Sequence, residues 1–146
     1  MPSISLTTPV DAIPAAARSA LLQGLGDALR RAERVPDNEF FQANTWAWLT
    51  EAQLHAGGGD PRFLVNAQVP AGGLNAKTKA ELVSAATDLI AEAAGLPEEQ
   101  RGSIWVLVNE VPDGNWGAGG AVIDFEQLRS LARTQREEVR GAASPS

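Results

Sequence analysis

Residues 63–108, FLVNAQVPAGGLNAKTKAELVSAATDLIAEAAGLPEEQRGSIWVLV, hold a complete strand–helix–strand unit, and this unit decides the fold. FLVNAQV at 63–69 reads as a strand, and residues 70–73 read as the turn that leaves it. Asn75 suits a helix N-cap, where its side chain accepts a first-turn N–H. Residues 76–94 then place Leu82, Ala86, Leu89, Ile90 and Ala93 on one helical face. Gly95 fits the position just past a helix C-terminus. IWVLV at 104–108 is a strongly apolar second strand. A crossover of this length joins parallel strands.

Upstream the same order recurs. In residues 3–7, Ile4 and Leu6 point to one side and Ser3 and Ser5 to the other. Pro9 ends that strand, and Pro14 lies near the first turn of a helix whose Ala17, Leu21, Leu25 and Leu29 keep helical spacing. Arg30, Arg31 and Arg34 close it, read as solvated cations that complement the helix dipole. Residues 35–38 stop the helix. Residues 40–49, rich in aromatic side chains and threonine, are predicted as a second strand with Trp46 and Trp48 on one face. GGGDP at 57–61 is the break between the units. After the second unit come turn residues at 112–114 and 117–120, a charged helix predicted over 124–140 and a frayed tail at 142–146.

The expected architecture is therefore α/β, one domain over 1–146, with repeats at 2–56 and 62–125 and a C-terminal segment at 126–146. Two units side by side give a four-stranded sheet with two helices on one face. The other face is expected to be apolar and in need of a partner, which predicts an oligomer.

Composition narrows the function. The 146 residues carry a net charge of -6, which argues against nucleic acid and gives no attraction to an anionic membrane. With no cysteine and His55 as the one histidine, thiolate and multi-histidine metal sites are excluded. No metal and no cofactor are expected. No stretch approaches a membrane span, and residues 1–10 lack a basic, then apolar, leader pattern, so a cytoplasmic location is expected. The glycines at 117–120 lack the Lys-Ser/Thr ending of a phosphate loop and read as structural.

The second repeat resembles the 4-oxalocrotonate tautomerase subunit in KTKAELVSAATDLIAEAAG (77–95) and IWVLVNEVPDGNWGAGG (104–120). The most specific part is Glu110, a short turn, Asn115-Trp116-Gly117 and Gly119-Gly120. The doubled length is similar to fused members of the tautomerase superfamily, malonate semialdehyde decarboxylase and cis-3-chloroacrylic acid dehalogenase. The first repeat fits with Met1-Pro2 and with Val35-Pro36-Asp37-Asn38-Glu39. The resemblance spans residues 2–125.

The resemblance implies a homotrimer, a small-molecule substrate and a catalytic proline exposed by removal of Met1. Pro2 would then be a secondary amine. An apolar pocket disfavours its cation, so the neutral form can accept a proton from carbon near pH 7 and return it elsewhere. Glu39 takes the place of an acidic helper, Trp116 that of a pocket wall and Asn115 that of a polar contact. The chain departs from the family at its carboxylate-binding arginines: the turns at 69–73 and 9–12 have none, and Trp105 stands at an arginine position. Leu29 stands near the position of a histidine found in some fused relatives. Arg62 is the candidate replacement cation, and Trp105 is a candidate substrate contact. The expected activity is keto–enol tautomerisation of a small aromatic or apolar 2-oxo acid. The alternatives are a hydratase, decarboxylase or dehalogenase of the same fold, or a non-catalytic binding or assembly module.

Overall fold

The computed structural model describes residues 2–143; Met1 and residues 144–146 lie outside it. β1 (Ser3–Pro9) leads into α1 (Ala15–Glu33), the short α2 (Glu39–Ala43) and β2 (Trp46–Ala52). β3 (Phe63–Pro70), α3 (Ala76–Ala94), a 3₁₀ turn (Glu98–Ser103) and β4 (Ile104–Val111) repeat the order. A small hairpin, β5 (Gly117–Ala118) and β6 (Ala121–Val122), precedes α4 (Phe125–Ala143).

The main sheet runs β2-β1-β3-β4. β1 is parallel to β2 and β3 to β4, as crossover helices require, while the two repeats meet antiparallel at β1 and β3. One sheet face packs under α1 and α3. Ile4, Leu6, Val65, Ala67 and Val69 are fully buried there beneath Leu25, Leu29, Leu82 and Ile90. The helices approach closely at Gly24, where an added Cβ would stand 3.0 Å from Leu89 Cδ2.

Helix ends follow local chemistry. Asn75 and Thr78 form a reciprocal capping box at α3, and Gly95 closes it in the left-handed conformation. α1 ends differently, with Arg34 itself left-handed at φ 57°.

The structure corrects three expectations. The strand predicted over 40–49 begins only at Trp46, because Asn38 caps Phe41 N–H at 3.0 Å and turns residues 39–43 into α2. Aromatic content suggested extended chain, and a cap at Asn38 overrode it. Arg30, read as solvated, is buried, with its guanidinium paired to Asp27 and 3.9 Å from Asp37. Ala142 and Ala143 continue α4, while the rest of the expected tail, 144–146, lies outside the described residues.

The free face of the sheet is apolar only in part. Register places Trp46, Ser3, Gln68 and Asn109 in one row across it. The next row is Trp48, Ser5, Asn66 and Leu107, and the last is Thr50, Thr7, Leu64 and Trp105. Polar residues fill most of the two central strands, and the exposed tryptophans stand at opposite edges and opposite ends. Trp46 and Trp48 pack edge to face with centroids 6.2 Å apart.

Candidate active site

The crossover topology brings the start of β1, the start of β2 and the ends of β3 and β4 to one end of the sheet. Pro2 is buried there, and its carbonyl accepts the Trp46 N–H at 3.2 Å. Two hollows lie in this region.

The first is a cleft of about 800 Å³ that Pro2 lines together with Trp46, Trp48, Gln68, Asn115 and Trp116. The Pro112–Gly114 turn bends the chain so that Asn115 N–H returns to the Pro112 carbonyl, 3.1 Å. Ile123 N–H then bonds the Trp116 carbonyl, 2.8 Å, which fixes the indole beside the hairpin. Of the residues singled out in the sequence, Pro2, Asn115 and Trp116 thus share one cleft.

The second is a cavity of about 370 Å³ between the end of α1, α2, the turn after β3 and α4. Glu33 stands in its wall. Burial pushes the Glu33 carboxyl above its ordinary 4.5 to about 7, and the positive charge of the amino terminus pulls it only partly back. Desolvation is the larger cause, because burial strips water from the charged form. Oε1 of Glu33 is buried and has no hydrogen-bond partner among the described residues.

A carboxyl that changes charge near neutrality suits proton transfer in both directions. The turn after β3, Pro70–Gly73, contributes backbone and no cation to this cavity. Its cations come from α4, as Arg129, Arg133 and Arg136.

The remaining candidates lie elsewhere. Glu39 is the exposed first residue of α2 and lines neither hollow. Arg62 and Trp105 line a separate, mostly apolar pocket of about 340 Å³ with Thr7, Leu54 and Phe63. That pocket sits at the other end of the sheet, where β3 and β4 begin and β1 ends. Arg62 reaches only the carbonyls of Asp60 and Pro61, each at 3.4 Å. Glu110 pairs with Lys79 at 3.3 Å. No His, Cys, Asp or Glu cluster able to hold a metal occurs among the described residues.

Glu33 escaped the sequence reading, although a signal existed. Leu21, Leu25 and Leu29 advance by four, and the next step is Glu33. A carboxylate on the buried stripe of a helix is rare without a function. The charged run around it, Arg30-Arg31 and Arg34, disguised it as part of a solvated helix end.

A family model described as Tautomerase enzyme matches residues 64–132. No curated protein matches the chain. Among solved structures, the fold is similar to a macrophage migration inhibitory factor from Oncomelania hupensis, with 19% identity, coverage of 100% of this chain and 99% of that one, and a TM-score of 0.73. It is similar to a fused 4-OT symmetric trimer, with 21% identity, coverage of 86% and 98%, and a TM-score of 0.69. It is also similar to N1, a member of the cis-3-chloroacrylic acid dehalogenase family, with 20% identity, coverage of 95% and 99%, and a TM-score of 0.68. The family match thus falls on residues 64–132, which hold most of the second repeat, and the solved structures share the fold of the chain.

Proposed function

We propose that the chain is a keto–enol tautomerase acting on a small aromatic or apolar 2-oxo acid, with Pro2 as the proton-transferring base after Met1 is removed. The observation that carries this reading is the cleft in which Pro2 stands with Trp48, Asn115 and Trp116, near a cavity whose wall holds Glu33, a carboxyl with an unpartnered buried Oε1. The freed Pro2 amine takes the proton from the carbon beside the ketone. Protonated Glu33 is suited to donate a hydrogen bond to the enolate oxygen as charge builds there. The proton held by Pro2 is then delivered to the enolate oxygen, so the keto form becomes the enol with both groups restored, and ketonisation runs the same transfers backwards. Trp116 and Trp48, in the cleft that Pro2 lines, keep water from that side of the amine. Glu39 is exposed and has no step in this scheme.

The unpartnered Glu33 oxygen also favours a second reading, hydration of an unsaturated acid, in which ionised Glu33 orients water and protonated Pro2 supplies the proton. The two differ in the charge each group needs.

The proposed assembly is a homotrimer. The Trp46–Trp48 edge of one copy and the Trp105 edge of the next are unlike patches at opposite corners of the free face. Joining unlike patches head to tail closes into a ring rather than a two-fold dimer. One of the similar solved structures is itself described as a symmetric trimer.

Intact mass with phenylpyruvate ketonisation tests the reading. Loss of one methionine, acceleration above buffer and collapse of kcat in Pro2→Ala are expected. Retained methionine, or a Pro2→Ala variant as fast as the parent, removes the proposed chemistry.

A further inference from the structure

The side of α4 that faces the Glu33 cavity carries Leu128, Arg129, Ala132, Arg133 and Arg136. Steps of three and four residues put these on one side of a helix. The helix is tied down along its length. Phe125 is buried at its start, Asn38 Nδ2 donates to Gln135 Oε1 at 3.2 Å, and the Arg136 guanidinium donates to the Arg34 carbonyl at 2.8 Å. That carbonyl belongs to the left-handed residue that ends α1. A helix fixed at Phe125 and again at Gln135 and Arg136 holds the guanidinium groups between them against one wall.

These groups keep donors in reserve. Arg133 meets Glu126 at 3.2 Å and Arg129 meets the same carboxylate at 3.6 Å, but these are exposed surface pairs and weak ones. The Arg136 bond to Arg34 engages one of five N–H groups. No ion pair joins any of the three to Glu33 among the described residues. The cavity therefore has a cationic wall on α4 and no cation on the Pro70–Gly73 turn. Phe40 and Phe41, packed edge to face at 5.1 Å, give it an aromatic wall as well.

We propose that Arg133 and Arg136 of α4 form the carboxylate subsite of this cavity, taking a small aromatic monocarboxylate with its ring against Phe40 and Phe41. Guanidinium binds carboxylate through two parallel N–H bonds, and Arg133 needs only to leave Glu126 to do so. The proposal deepens the tautomerase reading and rests on it for the identity of the reacting atoms; carboxylate binding itself does not depend on turnover.

The test is calorimetric titration of the full chain with phenylacetate and with its neutral isostere phenylacetamide. The parent protein is expected to bind phenylacetate about tenfold more tightly, as charge-assisted bonds imply, with the preference shrinking in salt. Arg133→Ala combined with Arg136→Ala abolishes the preference and leaves phenylacetamide binding in place. Glu126→Gln frees Arg133 and tightens phenylacetate binding severalfold, which a merely structural ion pair would not do. Equal affinity of the parent for both probes overturns the proposal, as does a folded double variant that keeps the preference. If the double variant loses its native circular dichroism, Glu126→Gln decides alone, and unchanged affinity there rejects the subsite. A chain inactive on phenylpyruvate that still discriminates phenylacetate from phenylacetamide sinks the tautomerase reading and leaves the subsite standing.

Discussion

Replacing Glu33 by Gln separates a buried titrating carboxyl from an ordinary surface charge. Burial raises this carboxyl from 4.5 to about 7, so the folded chain holds its proton more tightly than the unfolded chain does. Between those values the folded state binds more protons, and stability falls as pH rises. The whole penalty is present above pH 7 and absent below 4.5. A difference of about 2.5 units corresponds to about 3 kcal/mol at pH 8, and the part already present at pH 5 is about 1 kcal/mol. An amide of the same shape carries no charge at either pH. Glu33→Gln is therefore expected to gain about 2 kcal/mol on the parent between pH 5 and pH 8, roughly 4–8 °C in Tm for a chain of this length. Urea unfolding at both pH values checks this, with protomer concentration fixed because assembly adds its own stability. A Glu33→Gln advantage that is the same at pH 5 and pH 8 refutes the reasoning, since the carboxyl would then titrate alike in both states. The same variant, assayed on phenylpyruvate, is expected to lose kcat while it gains stability, the usual mark of a strained catalytic group.

Two further outcomes follow from the fold. Trp48→Asp puts a charge on an exposed aromatic pair at one edge of the free face, and is expected to shift light scattering from an oligomer to a monomer with native circular dichroism. An unchanged mass would place the interface elsewhere. Asn75→Ala removes one half of the α3 capping box and is expected to cost about 1 kcal/mol in urea unfolding, with no effect on carboxylate binding because α3 starts outside the Glu33 cavity.

The second repeat was readable because its signals agree with one another. Asn75, the stripe from Leu82 to Ile90, and Gly95 each mark the same helix, and α3 runs from Ala76 to Ala94. The first repeat set local signals against each other. Phe40 and Phe41 favour extended chain, but the Asn38 side chain satisfies a helix-start N–H, and the cap prevails over five residues. Arg30 looked solvated because helix position alone does not reveal that Asp27 and Asp37 stand ready to neutralise it. The site was less legible than the fold for a similar reason. Proximity in sequence to a family motif pointed to Glu39, whereas the chemistry depends on which carboxyl loses its water. Only the packing of α1 against α2 and α4 sets that. The cations of α4 were invisible for the same cause, since 124–140 reads as a charged helix whichever side faces inward.

The distribution of charge around the Glu33 cavity explains why the missing turn arginines need not mean a missing function. A carboxylate held from the turn after β3 would enter the cavity at Ala71–Gly73, where only backbone is present. Gly72 serves the turn there through its positive φ of 85°, and α4 lines the cavity with three guanidinium groups instead. Moving the cations from a strand-end turn to a helix changes what the site can discriminate. A turn bound by sheet hydrogen bonds holds one cation, whereas a helix anchored through Phe125, Gln135 and Arg136 presents three along one wall. A carboxylate ligand should therefore raise the Glu33 pKa further if it excludes water, and lower it if the Arg133 guanidinium is drawn toward Glu33. Carbon-13 titration of that carboxyl with and without phenylacetate distinguishes the two, and no change in its titration would separate α4 from the chemistry altogether.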